Sequence, residues 1–184
     1  MATVVADMSM SLDGFVADPS DRVERVFAWY SKPQPSTQTS EASASEAEAA
    51  SLGVIVYGRR TFEVAGGWGG NHPMGVPVIV VTHSVPDGWP REDSTVSFVT
   101  DGIESAMEQA KAIAGDKVVA VGSPSIAQQC LNLGLLDEIQ VKVVPLLLGE
   151  GIRFFDNLTS APIELEGPTV IEGNGVTHLH YRVP

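Results

Sequence analysis

The 184-residue sequence predicts one α/β domain, residues 1–184, built on a mixed, mostly parallel sheet that closes with an antiparallel C-terminal hairpin. Three observations predict it. Short continuous apolar runs, of the kind that strands buried on both faces require, recur at Val54–Tyr57, Pro77–Thr82 and Lys117–Val121. Each run is followed by a helical pattern or a loop, and strand–helix alternation through about residue 133 implies parallel crossovers. Near the end of the chain, Asn174-Gly175 lies between two β-prone segments, a strong short-range hairpin signal.

In order along the chain, residues 3–10 are β-prone and lead into the turn Ser11-Leu12-Asp13-Gly14. Phe15-Val16-Ala17 follows, and Asp18-Pro19-Ser20-Asp21 breaks the chain again. Val23–Tyr30 reads as a short helix with Phe27, Trp29 and Tyr30 available for packing. Residues 31–51 read as a variable loop or lid, whose second half, Glu41–Ser51, is rich enough in Ala and Glu to be helical. Arg59–Ala65 forms a helix after Gly58, and Gly66–Gly70 ends it. Val96–Val99 is a short strand. Ile103–Ala114 carries apolar residues close to helical spacing. Ser123 suits an N-cap and Pro124 a first turn for a helix running to about Leu133. Leu136–Leu148 reads as one long strand, stopped by Gly149-Glu150-Gly151. Ile163–Glu172 and Val176–Val183 form the hairpin.

Composition narrows the function. Lys plus Arg number 11 against 23 Asp plus Glu, a net charge of −12 that repels nucleic acid and anionic membranes. No apolar run approaches the roughly 20 residues that span a bilayer. The first residues lack the basic-then-apolar order of a secretory signal, and the single Cys130 excludes an intrachain disulfide. The expected location is cytoplasmic. An anionic ligand must then be held by local cations, backbone amides or helix N-termini, and Arg59-Arg60 is the one adjacent basic pair.

Three strand ends share a ligand-binding logic, because ligands of open α/β sheets gather at the carboxyl ends of strands. At Gly58-Arg59-Arg60-Thr61, glycine permits close approach, the hydroxyl sits in a first helical turn, and guanidiniums can fork onto phosphate. Thr82-His83-Ser84 sets three hydrogen-bonding side chains at another strand end. Gly122-Ser123-Pro124-Ser125 is a small-residue turn suited to a pyrophosphate. Singly, each is more simply a salt-bridged helix, a turn or a cap. Their ordered occurrence in one domain favours a dinucleotide site. None is the Gly-x-Gly-x-x-Gly fingerprint.

These segments resemble the dihydrofolate reductase-like superfamily, a three-layer sandwich. Within it they resemble the group similar to the C-terminal reductase domain of the riboflavin-biosynthesis bifunctional deaminase–reductase. The resemblance is carried by residues 11–17 as a first-strand motif, residues 58–63 as a cofactor-phosphate motif and residues 119–123 as a pyrophosphate turn. Residues 136–139 and 145–155 carry it as a closing strand and loop. It implies an NADPH-dependent reductase of a small heterocyclic or carbonyl-containing substrate, acting as a homodimer. The implied activities are 5-amino-6-(5-phosphoribosylamino)uracil reductase-like or dihydrofolate reductase-like. By the same resemblance, Arg59 and Thr61, with Arg60 assisting, contact the 2′-phosphate and pyrophosphate. Thr82, His83 and Ser84 line the adenosine end, and Gly122, Ser123, Ser125 and Ile126 receive the pyrophosphate. Val16 and Ala17 lie near the nicotinamide, under a loop carrying Asp13, against which residues 149–155 pack.

Two departures qualify the implied chemistry. The carboxylate that folate reductases place on the first helix falls here near Trp29, where there is no acid, which disfavours folate reduction and leaves Asp13 as the candidate proton donor or substrate contact. The partner deaminase signature, His-x-Glu with a following Pro-Cys-x-x-Cys, is missing, which favours a stand-alone reductase. A different class of function, an NADP-binding sensor or scaffold without turnover, is the alternative. Elsewhere, His178 and His180 at i, i+2 read as surface histidines rather than metal ligands, His72 as a residue at the mouth of the site, and Cys130 as core packing. Glu41–Glu48 reads as a solvated acidic face.

Overall fold

A computed structural model of the chain describes residues 1–32 and 40–184, with the side chains of residues 40–45 outside the description. Eight strands make one sheet: β1 (Val4–Ser11), β3 (Leu52–Gly58), β4 (Val78–Val81), β5 (Val96–Val99), β6 (Val118–Val121), β7 (Glu138–Val144), β9 (Glu166–Gly173) and β10 (Val176–Arg182). Their order is β5-β4-β3-β6-β1-β7-β10-β9. The six from β5 to β7 are mutually parallel, β10 runs antiparallel to β7, and β9 pairs antiparallel with β10. A second sheet pairs β2 (Phe15–Ala17) with β8 (Ile152–Arg153) beside the main one. The helices are α1 (Glu24–Phe27), α2 (Ser40–Ser51), α3 (Arg59–Val64), α4 (Ile103–Ala114) and α5 (Pro124–Asn132).

Strand register assigns the two faces of the sheet. Ala6 pairs with Val121 and Ile139, and Val121 with Val56, so these side chains share one face. α4 and α5 cover it with Ala106, Met107, Ala110, Ile126 and Cys130, and Phe154 closes the layer fully buried. The opposite face carries Asp7, Ser9 and Lys142, with Ser9 opposite Lys142, and farther along Tyr57 opposite Val80. Here burial is split. One apolar cluster gathers Val26, Trp29, Val144 and Val176, and another gathers Phe62, Val78, Val80 and Val96. The polar side chains lie between them.

Local sequence explains the departures from expectation. The helix expected over Val23–Tyr30 is only α1 followed by a 3-10 turn at Ala28–Ser31, whose tighter winding turns Trp29 inward to donate from Nε1 to Ser9 Oγ at 3.0 Å. The strand expected over Leu136–Leu148 ends at Val144. Pro145 has no N–H for the ladder, and Leu146 N turns back to Val144 O at 2.8 Å. Of the loop or lid expected over residues 31–51, residues 33–39 lie outside the described residues, and Ser40–Ser51 is helix. The Asn174-Gly175 turn joins β9 to β10, with Gly175 at φ +77, a conformation open to glycine. Among the described residues, no helix is long and apolar enough to cross a membrane.

Candidate functional site

Six parallel strands bring their carboxyl ends to one edge of the sheet, where β3 and β6 are neighbours. Ser123, after β6, does not cap its own helix. Its Oγ accepts the Gly58 N–H at 2.9 Å and lies 2.6 Å from Thr61 Oγ1, so it ties the start of α3 to the start of α5. Pro124, first in α5, has no N–H, which leaves Ser125 and Ile126 as the first-turn donors without a side-chain cap. Gly58 is the close-approach point. A Cβ there would meet Ile126 Cγ1 and Ser125 Oγ, both at 3.4 Å. A cavity of about 310 Å³ opens beside this turn, lined by Pro124, Ser125, Gln128, Ile152, Arg153 and Asn157 among others. The uncapped amides of Ser125 and Ile126, Arg153 and the glycine approach fit a pyrophosphate, although one carboxylate, Asp156, also lines the cavity.

The structure brings Arg59 to the other strand end. Its Nη1 donates to Ser84 O at 2.9 Å and its Nε to Glu63 at 2.7 Å, while Thr82 Oγ1 donates to the same Ser84 carbonyl at 2.9 Å. Arg59, Thr82, His83 and Ser84 therefore form one polar corner. Arg60 points elsewhere, to an exposed ion pair with Asp21. Val16 and Ala17 are buried in the larger core, and Ala17 pairs with Ile152.

Asp13 is a brace between loops. Its carboxylate accepts from Ser11 Oγ at 2.6 Å, Gly149 N at 2.7 Å and Leu148 N at 3.1 Å. The Ser11 hydroxyl and then these amides hold it well below the usual carboxylate range, at about 2. Phe154 N bonds Gly14 O at 3.1 Å, so the 149–155 segment does pack on this turn. A carboxylate ionised down to about pH 2 with both oxygens engaged gives no proton near neutrality. This geometry corrects the expectation that Asp13 is the donor.

Between the two apolar clusters lies a constellation that sequence reading missed. Lys142 Nζ is buried and sits 2.5 and 2.6 Å from the two oxygens of Asp7 and 2.9 Å from Glu48 Oε1. Burial opposes the ammonium charge, yet two carboxylates more than offset it and hold the lysine above its ordinary range. Two acids share one base, so one negative charge is uncompensated. Burial, followed by the charge of Asp7, pushes Glu48 up to about 7. Trp29 and Tyr30, stacked at 3.9 Å, flank the group. The run Glu41–Glu48 is thus not uniformly solvated, because Glu48 reaches across the sheet face to β7.

The cluster runs toward the start of α5 through Tyr57. A Cβ on Gly122 would lie 2.3 Å from Tyr57 Cε1, so the ring rests against the β6 end. Tyr57 packs on Trp68 at 4.7 Å, and its hydroxyl meets His72 Nε2 at 3.1 Å. Burial and the nearby Asp7 charge keep the phenol far above its ordinary range. β10 adds two histidines to this face, with His178 in register with Lys142. His180 pairs with Glu138 at 2.8 Å, and His178 lies edge-on to Trp29. Among the described residues, no three His, Cys, Asp or Glu side chains gather as a metal set. Cys130 is fully buried, and its thiol is pushed up to about 12 by burial.

Comparison with known proteins agrees with this architecture. The chain is 27% identical over 128 residues to the uncharacterized protein YwjB of Bacillus subtilis, spanning 69% of this chain and 71% of that one. A putative riboflavin biosynthesis protein from Shewanella sp. PV-4 superposes with a TM-score of 0.72 at 25% identity, covering 100% of this chain and 99% of that one. Dihydrofolate reductase from Enterococcus faecalis, solved with NADP(H), superposes with a TM-score of 0.59 over 98% and 96% of the two chains. At 16% identity this likeness speaks to the fold alone. The RibD C-terminal domain family matches residues 2–172, the span holding the α5 turn, the Arg59 corner and the Asp7–Lys142–Glu48 cluster, and the chain belongs to that family.

Proposed function

We propose that the protein is an NADPH-dependent reductase of a small heterocyclic or carbonyl-containing substrate. The observation that carries this reading is the joined start of α3 and α5, where Ser123 locks Gly58 and Thr61 in place and leaves the Ser125 and Ile126 amides without a side-chain cap, with Ser125 lining the adjoining cavity. Membership of the RibD C-terminal family and the fold shared with an NADP(H)-bound reductase support it. When bound, the dinucleotide supplies a hydride. The chain's own residues do the rest. Arg59 provides the charge that a 2′-phosphate needs, and Thr82, His83 and Ser84 receive the adenosine end. Glu48, held at Lys142 beside Asp7 and raised by burial and the Asp7 charge, is the candidate proton source. Lys142 and Asp7 fix its position. The alternative is a binding module without turnover, which NADPH binding with no oxidation of any panel compound would favour. A homodimer stays the expected assembly, read by light scattering.

Calorimetry with NADPH and NADH tests the cofactor. Tight NADPH binding is expected, weakened about 10- to 100-fold in Arg59→Ala with little change for NADH, the worth of one charge-assisted contact. No association with either dinucleotide overturns the reading. NADPH oxidation against a panel of pyrimidines, pterins including dihydrofolate, and quinones then identifies the substrate class.

A further inference from the structure

We infer that Tyr57 is an oriented hydrogen-bond donor to an acceptor atom of the substrate, a carbonyl oxygen or ring nitrogen, and that His72 is the positioning residue that aims it. This rests on the reductase reading above. The argument begins with the backbone: Met74 N donates to His72 Nδ1 at 3.2 Å, so that nitrogen carries no hydrogen. Neutral His72 therefore bears its hydrogen on Nε2 and donates it to Tyr57 Oη across the 3.1 Å contact. The phenol, whose oxygen is already an acceptor, keeps its own hydrogen free, and no other contact with a described residue takes it up.

Location gives that hydrogen a purpose. Tyr57 shares the sheet face of Asp7 and Lys142, and its ring rests against Gly122, at the turn assigned to the pyrophosphate. A donor at this point is within one side chain's length of both the dinucleotide turn and the charged cluster. Burial holds His72 below its ordinary range, which preserves the neutral tautomer, and keeps the phenol protonated. Tyr57 accordingly orients an acceptor and is not the proton source. Trp68, tilted against Tyr57 at 4.7 Å and edge-on to His72 at 5.1 Å, packs against both rings.

Nitrogen-15 NMR of the imidazole reads the orientation directly and without cofactor, with His72→Gln used to assign the signal. The Nε2-protonated tautomer is expected; the Nδ1-protonated form, in which Tyr57 would donate to His72, overturns the inference. Steady-state kinetics with NADPH and the panel compound that wild type reduces fastest read the role. Tyr57→Phe is expected to lower kcat/KM for that compound about fivefold, the worth of one neutral hydrogen bond, with NADPH affinity unchanged. His72→Ala should reproduce that loss, and His72→Gln, which keeps an N–H donor, should recover part of it. An unchanged kcat/KM in Tyr57→Phe overturns the inference. A wild-type protein that binds no dinucleotide overturns the reductase reading and this role with it. That failure is separable, because calorimetry reports it before any variant is made.

Discussion

One face of the sheet is a continuous apolar layer, and the other is interrupted by charge. Under α4 and α5, valines from four adjacent strands meet Met107, Ile126 and Phe154 with almost no exposure. On the opposite face, two smaller apolar clusters leave a gap filled by Asp7, Lys142 and Glu48. Lys142 is buried in this group while Asp7 and Glu48 reach solvent, and such an ion group is weak evidence for stability, since desolvation of the ammonium consumes most of the Coulomb gain. The difference teaches that apolar burial is concentrated on one side of the sheet, and that the other side gives up apolar contact to a charged cluster.

The contrast can be broken from either side. The largest loss is expected from Phe154→Ala, about 3–5 kcal/mol in urea unfolding, because a fully buried ring leaves a cavity in the apolar layer. Lys142→Met should cost about 3 kcal/mol, since it strands two carboxylates. The triple variant Asp7→Asn, Lys142→Met, Glu48→Gln should return to within about 1 kcal/mol of wild type while losing turnover. A triple variant as unstable as Lys142→Met would show that the group is a structural necessity.

A smaller effect sharpens the comparison through pH. The folded-state carboxyl of Glu48 is raised from 4.5 to about 7, so this group favours the fold at low pH, and that preference is lost as pH rises from about 4.5 to about 7. Asp13 has the opposite sign: its contribution is present above its ordinary value of 3.8 and is lost as pH falls toward about 2. Glu48→Gln should therefore flatten the decline in unfolding midpoint between about pH 4.5 and 7 and leave the acid limb alone. The smallest effect belongs to the rim. Asp21→Asn breaks an exposed pair with Arg60 and should leave the unfolding midpoint and NADPH affinity unchanged.

What the sequence disclosed follows the range of the interactions. Parallel strands, the α4 periodicity and the Asn174-Gly175 turn are local patterns, and they stand where expected. The turn residues at Gly58, Thr61 and Ser123 were legible as small or hydroxyl residues at strand ends, although the bond joining them spans 62 residues or more. The acid near the site was not legible. Glu48 sits among alanines and serines as a surface glutamate would, and its partner lies 94 residues away in a strand that reads as apolar. Asp13 was visible as special, but its partners at Leu148 and Gly149 lie across the fold, so a brace read as a donor.

Residue 122 has a consequence of its own. Any substituent larger than hydrogen there would displace the neighbouring phenol and with it the imidazole contact. An alanine at this one backbone position would then disturb the start of α5 and the Tyr57–His72 contact together, from a single methyl group.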